Sequence, residues 1–357
     1  MLRTVLLGFL LAAPLWAQTK NLEIQPGGGW VDTGIDLVAG DSVTITATGQ
    51  MQFSNATAPN GPEGLGRAYL DLLRVMQLND AGRGAADDRV GSSDAVRPFL
   101  VGPQFAGRVP IAGRLFLAVN QSAFDSATGF YQVTIARTAG KPAAQAQFAI
   151  QVPVFPQSLM DEIPTRVNDA NGNLGDRVNF ILIGSLDQVQ AALKAAGWVA
   201  VDRTDKASIL NAVLDSLSKE SYVTMPMSEL LLFGRAQDFG YAQADPLRVV
   251  ASRHHFRLWK TPYTLGGQTV WAGAGMHDIG FARDDRNNGI THKIDSNSDN
   301  ERDYIRDSLV NTGLVAKTDY IAPSNPVMKA ATATGSDYTS DGRTLLVYFP
   351  AQAKQHE

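Results

Sequence analysis

The sequence contains no cysteine. Disulfide staples, thiolate-ligated zinc, iron–sulfur clusters and thiol nucleophiles are excluded by that single absence. Charge is also scarce: 18% of residues are charged, with 31 Lys and Arg against 35 Asp and Glu, a formal net charge of −4. Such a balance provides no basic stripe to neutralise phosphates, so nucleic acid is not an expected partner. Long apolar runs are missing too. The run over residues 4–15 is shorter than the roughly 20 residues that cross a bilayer, and no transmembrane segment is expected in the mature chain.

What the chain does have is length and apolar content. Its 357 residues, 44% of them hydrophobic, suffice for about two domains of ordinary size, and 33 Gly point to turn-rich, strand-rich text. Arg3, the apolar run and the small residue Ala17 have the order of an export signal. Residues 1–17 are therefore expected to be a signal peptide, and the mature protein to be periplasmic or extracellular.

Two grammars follow. Over residues 21–138, Val43, Ile45 and Ala47 alternate with threonines, and residues 113–119 and 130–135 repeat the strand pattern between Gly-rich turns. This predicts an all-β sandwich. Residues 64–77 interrupt it with helical spacing at Tyr69, Leu72, Leu73 and Met76. Residues 139–146, small and Pro-containing, are expected to be a linker. Over residues 147–352 strands and helices mix. Strands are expected at 148–152, 178–184, 230–233, 253–260, 268–276, 315–321 and 344–349. Helices are expected at 185–195 behind Ser185, at 208–217, and at 299–311 behind a Ser298–Glu301 capping box. Without regular βαβ alternation, this second half reads as an α+β domain with a mostly antiparallel sheet.

Each half resembles a known family. Trp30-Val31-Asp32-Thr33-Gly34, Ala39-Gly40-Asp41, the run Gly113–Asn120 and Gly129-Phe130 resemble the calcium-dependent galactophilic lectins and their galactose-binding-like relatives. The resemblance implies a galactose-binding-like sandwich. In those lectins calcium is held by a Tyr in the early strand, an Asp after the Asn, and a Thr with paired Asn. The corresponding positions here are Phe53, Gln121, Ser126 and Ala127, which leaves Asp125, Ser126 and Thr128 as oxygen donors. Calcium takes roughly six to eight hard oxygens, so no calcium is expected in this half.

The second half resembles the LssY C-terminal-domain family over residues 166–320. The matching blocks are Gly175-Asp176-Arg177-Val178-Asn179, Ala195-Ala196-Gly197-Trp198, Leu232-Phe233-Gly234-Arg235, Arg253-His254-His255-Phe256-Arg257-Leu258-Trp259, His277-Asp278 and Thr291-His292-Lys293-Ile294-Asp295. Some members of that family carry the domain fused to a membrane phosphatase. The resemblance thus implies chemistry on envelope lipid or phosphate.

Chemistry-bearing residues concentrate in one window. Residues 245–307 hold nine basic and nine acidic side chains and four of the five histidines. Strand alternation sets Arg253, His255, Arg257 and Trp259 on one face, and His254, Phe256 and Leu258 on a core face. Arg253 and Arg257 around His255 suit an anionic ligand, with Trp259 and Lys293 as further contacts. Flanking positive charge favours a neutral imidazole, the form needed in a general base or a metal ligand. Gly273 and Gly275 would leave space for a ligand beside Trp271 and His277. His277 and His292, with Asp278, Asp295 or His255, form a candidate three-ligand set for one divalent metal. Asp295–Asp299 and Asp169–Asp176 resemble calcium loops, but capping and turn chemistry account for them.

Three functions remain open at this stage. The first is an exported two-domain protein binding an anionic small molecule, glycan or envelope component. The second is a metal- or His-dependent hydrolase with His255, His277 and His292 as catalytic residues. The third is a non-catalytic structural or interaction protein.

Overall fold

The computed structural model describes residues 17–27, 29–66, 76–78, 81–122, 125–140, 152–201, 227–244, 252–283 and 290–351. The first unit has strands β1 (Ala17–Ile24), β2 (Val31–Leu37), β3 (Ser42–Phe53) and β4 (Ala86–Val90). It continues with β5 (Phe99–Leu100), β6 (Gln104–Arg108), β7 (Gly113–Val119) and β8 (Ala127–Thr138). All pairs are antiparallel, in two four-stranded sheets ordered β1-β8-β3-β6 and β2-β7-β4-β5. In β3 the apolar member of each alternating pair, Val43, Ile45 and Ala47, is buried. Ile35, Leu115, Leu117, Tyr131 and Ile135 complete the core between the sheets, where each large aliphatic side chain contributes about 1.5–3 kcal/mol. The sandwich expected from alternation is present. β4, which carries Asp87, Asp88 and Arg89, was not among the expected strands.

The second unit opens with α1 (Gln157–Glu162), β9 (Arg166–Asn168), β10 (Leu174–Arg177), β11 (Phe180–Ile183) and α2 (Leu186–Ala195). Next come β12 (Val199–Val201), β13 (Leu231–Leu232), β14 (Arg235–Ala236), β15 (Phe239–Ala244), β16 (Ser252–Leu265), β17 (Gln268–Arg283) and β18 (Ile290–Ile294). The last elements are α3 (Ser298–Val310), β19 (Lys317–Ile321), β20 (Lys329–Ala331), β21 (Asp337–Thr339) and β22 (Thr344–Tyr348). A large sheet runs β12-β15-β16-β17-β11-β22-β19, with β18 also on β17. Every pair in it is antiparallel except β11 with β22.

This sheet is buried on both sides. α2 and α3 cover one face, packing Leu193, Ile305 and Leu309 on Phe180, Phe256 and Trp271. The other face packs on α1 and the small sheet β10-β9-β13-β14, with Met160, Val167 and Leu232 against Ile181, Trp259 and Ala272. The chain is thus an all-β sandwich followed by an α+β unit with a mostly antiparallel sheet.

Helix α2 starts as its sequence predicts. The Ser185 hydroxyl accepts from the Gln188 amide, the Gln188 side chain accepts from the Ser185 amide, and Gly197 ends the helix at φ 83°. Helix α3 differs from expectation. Asn297 is its cap, accepting from the Asp299 amide, while the Ser298 hydroxyl donates to the Thr339 carbonyl. Glu301, freed from the expected capping box, turns inward. The helical pattern over residues 67–75, nearly all of the strand expected at 148–152 and the helix expected at 208–217 lie outside the described residues.

Candidate functional site

β16 and β17 are the two longest strands, and their register sets the site. His254 lies directly opposite His277, and His255 directly opposite Met276. Cross-strand partners on one face stand close enough to touch, so the His254 and His277 rings stack at 4.0 Å between centroids, 16° apart. Tyr304 of α3 stacks on the other side of His254 at 3.5 Å. From the same helix Glu301 reaches down, its Oε2 2.5 Å from His254 Nδ1. Potential ligand atoms of His254, His277 and Glu301 all lie within 4.8 Å of one another.

The approach of α3 depends on glycine. A Cβ at Gly275 would stand 2.7 Å from Ile305 Cδ1 and 3.3 Å from Glu301 Cγ, so a larger residue would push the Ile305 side chain aside and crowd Glu301. The space left by Gly273 is taken by the Phe180 ring, 2.0 Å from where a Cβ would be. These gaps therefore seat protein side chains, not a ligand. Asn179 holds β17 at the same point: its side-chain amide donates to the Gly275 carbonyl and accepts from the Gly275 amide, both at 2.9 Å.

Glu301 is the most costly member of the group. It is 1% exposed, and its Oε1 has no hydrogen-bond partner among the described residues. Burial raises its carboxyl well above the usual range, and the nearby Asp295 charge pushes it the same way. A buried carboxylate oxygen without a partner beside two imidazoles is the environment a cation relieves. Two His nitrogens and one carboxylate oxygen form a donor set used for zinc in hydrolytic sites and for iron in facial triads.

The opposite face of the sheet carries a second polar cluster. Arg253 approaches Asp278 at 3.5 Å, and His255 Nδ1 lies 3.4 Å from the same carboxylate. Arg257 is 3.7 Å from Asp176 and donates to the Ser228 carbonyl and hydroxyl. All five charged or imidazole groups are buried. Burial lifts the Asp278 carboxyl to about 7 against the pull of Arg253 and Arg257. Both guanidiniums are thus buried against protein partners and not presented to an incoming anion. This cluster ties the sheet to its neighbours.

The expected site residues thus separate. His255 and His277 lie on opposite faces, so they cannot share one ion. Asp278 follows His277 in the strand and points the other way, with His255. Trp259 belongs to the apolar core, its indole N–H on the Arg235 carbonyl. Lys293 is exposed on β18. Asp295 lies beside His277 through its backbone, but its carboxylate accepts from the Asn297 amide and the Asn300 side chain at the start of α3. The His292 backbone pairs with Phe281, and its side chain lies outside the described residues. Sequence reasoning missed His254, placed on a core face by Phe256 and Leu258, and Glu301, whose spacing from Ser298 mimics a cap.

The family model described as LssY C-terminus matches residues 160–344. No curated protein matches the chain. Among solved structures, the chain is similar to an EclA N-terminal domain described as a PllA-like lectin. The identity is 21% over 33% of this chain and 94% of that one, with a TM-score of 0.26.

Proposed function

The chain belongs to the LssY C-terminus family, and from that premise we propose that its second unit binds an anionic, phosphate- or carboxylate-bearing envelope ligand through a divalent metal ion. His254, His277 and Glu301 would hold the ion. The observation that carries this reading is the convergence of these three side chains within 4.8 Å around a buried carboxylate oxygen that has no hydrogen-bond partner among the described residues. When bound, such an ion supplies a Lewis-acid centre with an open coordination position. The residues around it do the rest. Asn179 and Gly275 fix the strand under the site, Tyr304 covers the His254 ring, and Asp295 steadies the start of the helix that delivers Glu301.

Export would fit an envelope ligand: a signal peptide over residues 1–17 would place the mature chain where such molecules are found. A second reading, metal-dependent hydrolysis of that ligand, is favoured by the donor set, since three protein ligands leave a position free for water or substrate.

The test begins with protein purified without chelator, in which elemental analysis should find about one equivalent of a divalent metal. His277→Ala should lose it, and chelated wild type should lose inorganic phosphate binding measured by calorimetry. Phosphate binding that survives complete removal of metal would sink the proposal. Turnover of a phosphomonoester by the metal-loaded protein, absent in His277→Ala, would establish the hydrolase reading.

A further inference from the structure

Strand β4 carries an acid into the interior of the sandwich. Ala86 and Val90 belong to the core, so strand alternation directs Asp88, midway between them, inward as well. Leu117 of β7 and Phe99 of β5 stand directly opposite it on the neighbouring strands. Asp88 is 0% exposed, both of its carboxylate oxygens are sealed from solvent, and neither has a hydrogen-bond partner among the described residues. An acid in such surroundings stays neutral by keeping its proton. Burial raises the carboxyl well above its ordinary value, and the charge of the adjacent Asp87 pushes it the same way.

An ionised Asp88 has no counter-charge where it sits. Asp87 and Arg89 point to the other face of the sheet, where Arg89 is held by Asp94 and lies over the Trp30 ring. In the core the Tyr131 hydroxyl is engaged by Asn60 and by the Gly61 and Gly84 carbonyls. On its remaining side Asp88 borders a cavity of about 310 Å³, whose far wall is Ala195 and Ala196 at the end of α2 and Ser308 and Asn311 at the end of α3. Among the described residues, Arg97 and Arg108 are the only other charged side chains lining it, and both are exposed. The cavity is therefore the one direction in which an ionised Asp88 recovers both water and a positive partner. We propose that Asp88 is a proton-operated latch: protonated, it stays sealed in the sandwich, and ionised, it turns into the cavity toward Arg97 and Arg108 and loosens the seam between β4 and the ends of α2 and α3. The latch uses none of His254, His277 and Glu301. Its sign follows from the raised folded-state value. The closed sandwich has its full stability below the ordinary carboxylate value, about pH 4. That stability is lost as pH rises toward the folded-state value, about tenfold in the folded-to-unfolded ratio for each pH unit.

The test is a pH series on the full chain, from about pH 4 to about pH 9, spanning the ordinary carboxylate value and the range above it. In scanning calorimetry the sandwich transition of wild type should move down as pH rises. Asp88→Asn, which keeps the shape of the side chain but cannot ionise, should remove most of that fall. Backbone hydrogen exchange, corrected for its intrinsic pH dependence, should quicken with pH in β4, in residues 195–198 and in residues 308–313 of wild type and stay level in Asp88→Asn. Arg97→Gln with Arg108→Gln should shift this opening to higher pH, because the ionised carboxylate then lacks its partners. Should Asp88→Asn not fold, the infrared band of a protonated carboxyl in wild type decides: its loss in step with the quickened exchange supports the latch. The proposal is overturned if Asp88→Asn falls with pH as steeply as wild type, if exchange at the seam does not change with pH, or if the seam opens while the protonated band persists.

Discussion

Glu301 has one oxygen on His254 and the other without a hydrogen-bond partner among the described residues, at 1% exposure. Its value to the fold alone is low, because an unsatisfied buried group costs about 1–3 kcal/mol. Glu301→Gln should therefore leave Tm in chelator unchanged or higher, while abolishing the Tm rise that added metal produces in wild type. His255→Ala should behave in the reverse way. It removes a neighbour of Asp278 on the other face of the sheet, so stability should fall by about 1–3 kcal/mol with metal content retained. Thermal scans with and without metal check both. That two adjacent histidines should differ this much follows from strand alternation, which was legible in the sequence. Which carboxylate each of them meets was not legible, since Glu301 comes from 47 residues away.

At the scale of elements, helix α3 is the piece that completes the site, and Arg302 anchors it. This side chain is 1% exposed and reaches Asp299, Asp303 and Asp341 at 2.7–3.1 Å, with its guanidinium over the Tyr320 ring. Arg302→Met should cost about 3–5 kcal/mol, because it strands partly buried carboxylates, and should weaken metal binding by loosening Glu301. Denaturant titration and metal competition read the two effects. The anchor also sets the acid limb of stability. Burial alone would raise the Asp341 carboxyl, yet the Arg302 and Arg343 guanidiniums hold it well below 3.8, and Asp303 is lowered by Arg302 in the same way. A depressed folded-state value means that this contribution is fully present above the ordinary carboxylate value. It is lost as pH falls from there through the folded-state value. Asp341→Asn should therefore flatten the decline in Tm below about pH 4, as a pH series of melts would show. Ser185–Gln188 and Ser298–Glu301 share one capping pattern. Only the first behaves as a box, because Glu301 is drawn into the sheet.

Over the whole molecule, the apolar clusters divide by sequence. One gathers residues from Ile24 to Ile135, and the two around the large sheet gather residues from Phe155 to Phe349. Scanning calorimetry should accordingly show two transitions, with added metal raising only the one that belongs to the second unit. By itself the sequence determined the strand-rich halves, the mostly antiparallel sheet of the second, the start of α2 and the need for any metal to use histidine and carboxylate. These follow from alternation, capping and composition, which act over a few residues. The tertiary structure alone decided that β4 is a strand carrying a buried acid, that the Arg253–Arg257 row is buried against Asp176 and Asp278, and that His254, His277 and Glu301 converge. Those outcomes depend on strand register and on a helix packed against glycine from far along the chain, for which no local pattern carries a signal.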